Sequence, residues 1–518
     1  MAGSRVTNSV RNVFAAWGGQ AIYAIGVFAV RAVLVAKLAQ VFVGLESLFA
    51  SILTILSLAD LGVGSAIVFA LYKPLAEDDR DTVKSLMRLF KRAYITIGVA
   101  ILALGAALAP NVRLLLGADA PDIPLLEVYF YCFVLNTGVS YFFSYKGSLI
   151  MADQKNYVVY LIQYAFQIAM CGAQIAVLLV FESYLPFLIC MIASTFLQNV
   201  VICIVSNRMY PYLKEKDVKP LDRGILSDIK KNIVGLMMHK IAGAASTPAS
   251  NLIITNFVSL AATSLYGNYL LIVNALTQVI EKVFSSIIAS VGNLGVTESK
   301  ERQYEVFQTT FFVNALVYVV VSTGFLCCVN DFIAFLFGDE WRFPPLTVFL
   351  IVFLFCVKGL REAAMSFTSA YGLYWMTKWK AVLEAVALPL LALLFVGPWG
   401  IDGVLVACAV SSLGISTVYE GWAVYKFALE RPLRAYIAKF AHYLACIVAI
   451  MLAAFLVSGF IPLYGLLGFL AKGAFGVAFS AAIWFVLFGR TREWGEAVGM
   501  VKRVGGKLVG KLVGKKGA

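Results

Sequence analysis

Histidine is nearly missing from this chain: His239 and His442 are the only two. The nine cysteines (Cys132, Cys171, Cys190, Cys203, Cys327, Cys328, Cys356, Cys408 and Cys446) all fall within or at the edge of apolar runs, and none stands at metal-ligand spacing from a histidine. That excludes a His/Cys metal centre and a disulfide framework, and leaves the thiols as small core hydrophobes. No P-loop, HExxH, nucleophile elbow or CxxC pair occurs. The chain therefore lacks the signatures of nucleotide hydrolysis, zinc proteolysis and serine-hydrolase chemistry, and is read as a non-enzyme that needs no cofactor. Charge is scarce too: Asp, Glu, Lys and Arg make up 14% of the residues, against about 25% in a soluble domain. Acid is scarcer than base, at 29 against 42, which leaves a net charge of +13.

What fills the chain is apolar sequence. Hydrophobic residues make up 61% of 518, and the mean hydropathy is +0.86. A spanning helix needs about 20 apolar residues, and by that rule the chain reads as about fourteen spans. The first runs from Phe14 to Leu38, too long for a signal-peptide core. The expected fold class is all-α, a polytopic membrane protein with two six-helix lobes and two further helices. The expected divisions are an N-terminal lobe at 1–206, a cytoplasmic linker at 207–232, a C-terminal lobe at 233–426, two additional spans at 427–488 and a basic tail at 489–518. With the N-terminus placed inside, 34 of the 42 basic residues fall in inside loops and helix ends and three (Lys37, Arg113 and Arg342) outside. That asymmetry places both termini in the cytoplasm and gives the net charge a membrane origin, so nucleic acid is not an expected partner.

Five bases remain within spans: Arg31, Lys240, Lys358, Arg361 and Lys472. A guanidinium at membrane depth costs about 2.5–3.5 kcal/mol on insertion scales, so Arg31 must face a wet cavity or a partner. A cavity-facing arginine suits a phosphorylated anion, which it binds through two parallel hydrogen bonds. Lys358, Arg361 and Glu362 are spaced i, i+3, i+4 on one helix face; Lys358 and Glu362 can neutralise each other and leave Arg361 for another partner or for cargo. Lys240 lies near the cytoplasmic edge, where it can snorkel. The acids at depth are Asp60, Glu384 and Glu420, with Glu281 nearer a cytoplasmic end. Asp60, Glu362, Glu384 and Glu420 are either coupling groups or structural acids paired across helices. Breakers interrupt the second span at Asp60-Leu61-Gly62-Val63-Gly64 and the seventh at Ser246-Thr247-Pro248-Ala249-Ser250-Asn251. Such breaks line a cargo site or act as hinges, or simply allow close packing.

These residues resemble a known family. Leu56-Ser57-Leu58-Ala59-Asp60-Leu61-Gly62-Val63-Gly64-Ser65, followed by Leu71-Tyr72-Lys73-Pro74-Leu75, is similar to the second span and first cytoplasmic loop of Wzx-type polysaccharide flippases. Ala152-Asp153-Gln154-Lys155-Asn156-Tyr157, Leu265-Tyr266-Gly267-Asn268-Tyr269 and Ser290-Val291-Gly292-Asn293-Leu294 follow in the family's order. The resemblance implies the multidrug/oligosaccharidyl-lipid/polysaccharide exporter superfamily, with two pseudosymmetric six-helix lobes around a central cavity. It also implies undecaprenyl-pyrophosphate-linked oligosaccharide as cargo, moved from the inner to the outer leaflet of the plasma membrane. Arg31 matches the arginine that such proteins commonly carry in the first span. One departure is Ser250-Asn251 in the seventh span, where the family often has an acid before the asparagine.

The expected activity is thus an alternating-access flippase whose cavity holds the pyrophosphate at Arg31, with Arg361, Lys240 and Lys358 as further candidates. Its expected partners are the polyprenyl-pyrophosphate-linked glycan, membrane lipids, a coupling Na⁺ or H⁺, and a glycan polymerase or other assembly proteins. Three other readings stay open: a drug/cation antiporter of the same superfamily, a peptidoglycan lipid-precursor flippase, and a polyprenyl-dependent glycan ligase or polymerase. The last normally needs a large outside loop, and the longest here is about fifteen residues.

Overall fold

Apolar runs of this length cannot satisfy their backbone with water, so each must close its hydrogen bonds internally as helix. The computed structural model describes residues 2–499 apart from 61, 117–121, 154, 216–218, 222–223, 228, 231–232, 234–236, 238–246, 286–297, 372 and 374–375. Among the described residues all regular structure is helical, and the chain is an all-α polytopic membrane protein. Seven helical stretches are long and apolar enough to cross a bilayer, and Val41–Leu56 and Val63–Leu75 are shorter apolar helices. Two compact units divide the chain, Met1–Gly267 and Asn268–Ala518.

In the first unit the helices are α1 (Ala2–Lys37), α2 (Val41–Leu56), α3 (Val63–Ala76), α4 (Arg80–Leu108), α5 (Leu126–Ala152), α6 (Asn156–Phe181), α7 (Tyr184–Met209) and α8 (Thr247–Phe257). Helix α9 (Leu260–Ser285) begins in this unit and continues into the second. α1 lies along α6, where Gly19 makes room for the Tyr164 ring and the Tyr164 hydroxyl donates to Gln20 Oε1 at 3.0 Å. The expected break in the second span is present. After α2 the chain makes one tight turn at Ser57–Asp60, and Gly62 takes φ +81°, which favours glycine. The described part of 207–232 does not hang free. Leu213, Leu221, Ile225 and Ile229 pack with Leu86, Met87 and Phe90 of α4, and Ser85 Oγ donates to the Lys219 carbonyl at 2.6 Å. α8 is stitched to α2 by Asn251 Nδ2 donating to Ser51 Oγ at 2.9 Å. The expected linker at 207–232, where it is described, thus packs onto the first unit.

The second unit is built on α10 (Lys300–Phe337) and contains α11 (Pro345–Leu360), α12 (Glu362–Ala370), α13 (Lys378–Ser411), α14 (Val418–Ala423), α15 (Leu433–Ser458) and α16 (Gly465–Phe488). Phe307, Phe311 and Phe312 of α10 carry an aromatic core with Tyr425, Tyr436, Tyr443 and Trp484. α16 approaches α10 closely: a Cβ on Gly476 would lie 3.0 Å from Gly324 Cα, the small-residue packing that brings helices together in lipid. The spans within 427–488 are thus part of this unit's core. Beyond them a short helical segment, 492–499, is clasped to the bundle. Arg492 Nε pairs with Glu496 at 2.9 Å, Lys439 Nζ with Glu493 at 2.7 Å, and Trp494 packs on Phe485.

Candidate functional site

Arg31 lies six residues before the end of α1, and Glu46 five residues after the start of α2. At 1.5 Å per residue, both sit about 8–9 Å from the hairpin turn that joins the helices, at one depth. Arg31 Nη1 is 2.8 Å from Glu46 Oε2, with the side chains 11% and 31% exposed. The contact is an ion pair without an aligned hydrogen bond, since Nη1 has no partner of good geometry. Arg31 therefore neutralises its charge but leaves Nη1 without an aligned hydrogen bond, and Glu46 keeps an open edge. The Tyr184 hydroxyl is buried with no hydrogen-bond partner, and both Tyr23 and Tyr184 lie in the field of Glu46. Sequence reasoning missed Glu46. It is the only charge in the apolar run Val41–Leu56, and that isolation was the available signal.

Arg361 is placed differently. It stands at the turn between α11 and α12, 7% exposed, facing Glu420 of α14, itself 3% exposed. Nε donates to Glu420 Oε2 at 2.8 Å and Nη2 to Oε1 at 2.6 Å, while Nη1 donates to Ser412 Oγ at 2.9 Å. Lys380 of α13 contacts the same Glu420 carboxylate and lies 3.9 Å from Glu384 one turn on. Two cations and two acids thus balance. Wider helical turns at Ser412–Thr417 and Val424–Ala428 flank α14, and such turns re-aim side chains. The expectation that Lys358 and Glu362 neutralise each other is corrected here, while Arg361 takes another partner, Glu420, one of its two expected outcomes. One residue, Arg361, separates α11 from α12 and keeps right-handed helical angles (φ −74°, ψ −15°). Among the described residues Lys358 and Glu362 form no ion pair, and Lys358 is exposed. Sequence reasoning missed Lys380 and Ser412, although Lys380 and Glu384 are visibly one turn apart.

The remaining candidates separate. Asp60 is buried and accepts from the Gly64 N–H at 3.3 Å, at the start of α3. Lys472, on α16, pairs with Asp331 of α10 at 2.9 Å. Lys240, and with it Ser246, lies outside the described residues. In the seventh span Ser250 and Asn251 are buried, and Asn251 Oδ1 lacks a partner. All nine cysteines are free thiols.

No protein-family model matches the chain. No curated protein sequence matches it either. Solved structures do match. One described as the lipid II flippase MurJ in an inward closed conformation aligns with a TM-score of 0.65 at 14% identity, covering 93% of this chain and 99% of its own. An inward-facing multidrug resistance MATE transporter of the MOP superfamily aligns at 0.61 and 14% identity, covering 80% and 95%. The eukaryotic MATE transporter AtDTX14 aligns at 0.52 and 11% identity, covering 84% and 99%. At these identities the likeness establishes the fold: the chain has the fold of MOP-superfamily transporters.

Proposed function

We propose that the chain is an alternating-access flippase of the plasma membrane, with both termini cytoplasmic. It carries a polyprenyl-diphosphate-linked oligosaccharide of the Wzx cargo class from the inner to the outer leaflet. The observation that carries the reading is Arg31, a guanidinium at membrane depth whose one acidic partner among the described residues leaves Nη1 without an aligned hydrogen bond. A diphosphate offers the paired oxygens that such a guanidinium lacks here. The polyprenyl tail stays in lipid while the charged headgroup crosses. An inside-negative potential favours outward movement of the anion by about 2.3 kcal/mol per charge per 100 mV. The fold shared with a lipid II flippase supports the class of activity and names a competing lipid-precursor cargo. Coupling to Na⁺ or H⁺ and delivery to a glycan polymerase belong to the same proposal.

Glu46 favours a second reading. An acid with an open edge suits exchange of a cationic drug against a proton or cation, and two of the similar structures are MATE transporters. One experiment separates the readings. In a deletion strain the flippase reading requires lipid-linked repeat units to accumulate on the cytoplasmic side, and the structure of the accumulated lipid identifies the cargo. Arg31→Ala should reproduce that accumulation at normal protein level, with Arg31→Lys rescuing only in part. Normal glycan display with new drug sensitivity would overturn the flippase reading in favour of the antiporter.

A further inference from the structure

At the end of the first unit that carries its basic loops, several acids are already paired. Lys84 pairs with Asp81 at 2.9 Å and with Glu215 at 3.0 Å, Lys219 with Asp81 at 2.5 Å, and Lys155 with Asp153 at 2.6 Å. Three cations in the adjoining seam of α4, α5 and α7 have no such partner among the described residues: Lys91, Arg92 and Lys146. Lys146 sits one to two turns inside the end of α5, partly buried, and its ammonium donates to Asn207 Oδ1 of α7 at 2.8 Å. The ammonium also lies 5.7 Å from the Tyr145 ring centroid, and its three N–H groups leave room for a further acceptor. Lys91, exposed on the neighbouring α4, adds a second cation at this end of the unit. A partly desolvated cation beside a second cation is costly unless an anion is supplied from outside.

The surface next to these cations says what kind of anion. Ile95 and Val99 follow Lys91 at i+4 and i+8 on α4 and are 39% and 53% exposed, and Ile204, one turn before Asn207, is 47% exposed. A cationic seam continued by an exposed aliphatic stripe along the helices matches an amphiphile whose anionic head lies at the helix ends and whose chains lie on the span. We infer that the seam of Lys91, Arg92, Lys146 and Asn207 is a binding site for the anionic phosphate headgroup of a membrane lipid. Basic pockets between spanning helices take such headgroups, at about 1 kcal/mol per basic residue near the surface. The site is separate from Arg31 and does not rest on the cargo reading. The phosphate can belong to an anionic glycerophospholipid or to a polyprenyl diphosphate.

The test uses the purified full chain and native mass spectrometry, with dioleoylphosphatidylglycerol, dioleoylphosphatidylcholine and farnesyl diphosphate as probes. Phosphatidylglycerol should be retained over phosphatidylcholine. Lys91→Gln/Lys146→Gln should weaken that retention at least tenfold, whereas Lys146→Arg and Lys73→Gln should leave it unchanged. Displacement of bound phosphatidylglycerol by farnesyl diphosphate would mark the diphosphate lipid as the ligand; its persistence would mark the glycerophospholipid. Equal retention by the double variant and the native chain would overturn the assignment. So would loss of both glycerophospholipids to the same extent.

Discussion

Replacing Glu420 by Gln tests whether the second unit depends on its buried charge network. Glu420 holds two cations at once: both oxygens receive Arg361, and one also receives Lys380. Glutamine keeps the shape and removes the charge. Lys380 retains Glu384 at 3.9 Å, but Arg361, 7% exposed, loses its charge partner and keeps only Ser412 and one amide oxygen. Breaking a buried pair by removing one partner costs about 3–5 kcal/mol. At about 1.4 kcal/mol per tenfold, that is between about two and about three and a half powers of ten in the folded population. For a unit of about 250 residues it corresponds to a fall of about 6–20 °C in the unfolding temperature. The assay is built into the chain. Cys356 of α11 is fully buried and Cys408 of α13 is 9% exposed, so a maleimide dye that fluoresces on thiol coupling reports when these helices open. Arg361→Gln/Glu420→Gln removes both charges and leaves Lys380 to Glu384, so it should unfold at a higher temperature than Glu420→Gln alone. An unfolding temperature within about 1 °C of native for the single variant would refute the reasoning, because burial of an unpaired guanidinium cannot be that cheap. Strict additivity of the two substitutions would also refute it, since residues in contact couple.

Gly64→Ala should destabilise the first unit by about 1–3 kcal/mol, because the added Cβ would lie 2.0 Å from the Tyr94 hydroxyl; thermal unfolding checks this, and Tyr94→Phe in the same chain should recover part of the loss. The clasp of 492–499 should loosen in acid. Burial raises the Glu493 carboxyl, but the hydrogen bond and charge of Lys439, a backbone hydrogen bond and the charge of Arg492 together outweigh it and hold the group below the usual carboxylate range. Its contribution is therefore present above the unfolded value of about 4.3 and is lost as pH falls through the lower folded value. Amide exchange of the 489–499 peptide, corrected for the intrinsic rate, should rise over that window, and Glu493→Gln should make it fast at neutral pH. Glu46→Gln should strengthen diphosphate binding about tenfold by removing the internal competitor for Arg31, an effect of about 1.4 kcal/mol. Farnesyl diphosphate titration of the purified chain measures this, and unchanged affinity would exclude competition between Glu46 and the ligand.

The fold class was legible because membrane insertion leaves few choices: long apolar runs must be helices, and basic residues must sort to one side. The break at Asp60 to Gly64 was legible for a local reason, since a glycine-polar run cannot continue a helix without relief. Pairings between helices were not legible. Lys358, Arg361 and Glu362 are spaced for one face, yet Arg361 pairs with Glu420, 59 residues later. The contacts of the expected linker were not legible either. The charged stretch at 207–232 looks like a linker by composition, yet its apolar residues dock on α4. Lys146 was counted among the cytoplasmic helix-end bases, because a one-dimensional count does not show which acids its neighbours have already taken.

The two buried arginines show how the same residue type takes opposite roles in one chain. Arg361 meets its carboxylate through two parallel hydrogen bonds and adds a third to Ser412, so an incoming anion would have to displace a bidentate partner that is itself sealed from solvent. That exchange is costly on both sides, because Glu420 would be left buried beside Lys380 alone. Arg31 meets Glu46 at one point, without alignment, and Glu46 is 31% exposed. Releasing that pair costs little: the carboxylate can turn outward, and the guanidinium gains the hydrogen bonds it lacks. An anion that must be bound on one face of a membrane and released on the other needs a partner of the second kind, strong enough to neutralise it and weak enough to be exchanged. By that criterion Arg361 locks the second unit together, and the contact Arg31 makes is of the exchangeable kind that the proposed headgroup transfer requires.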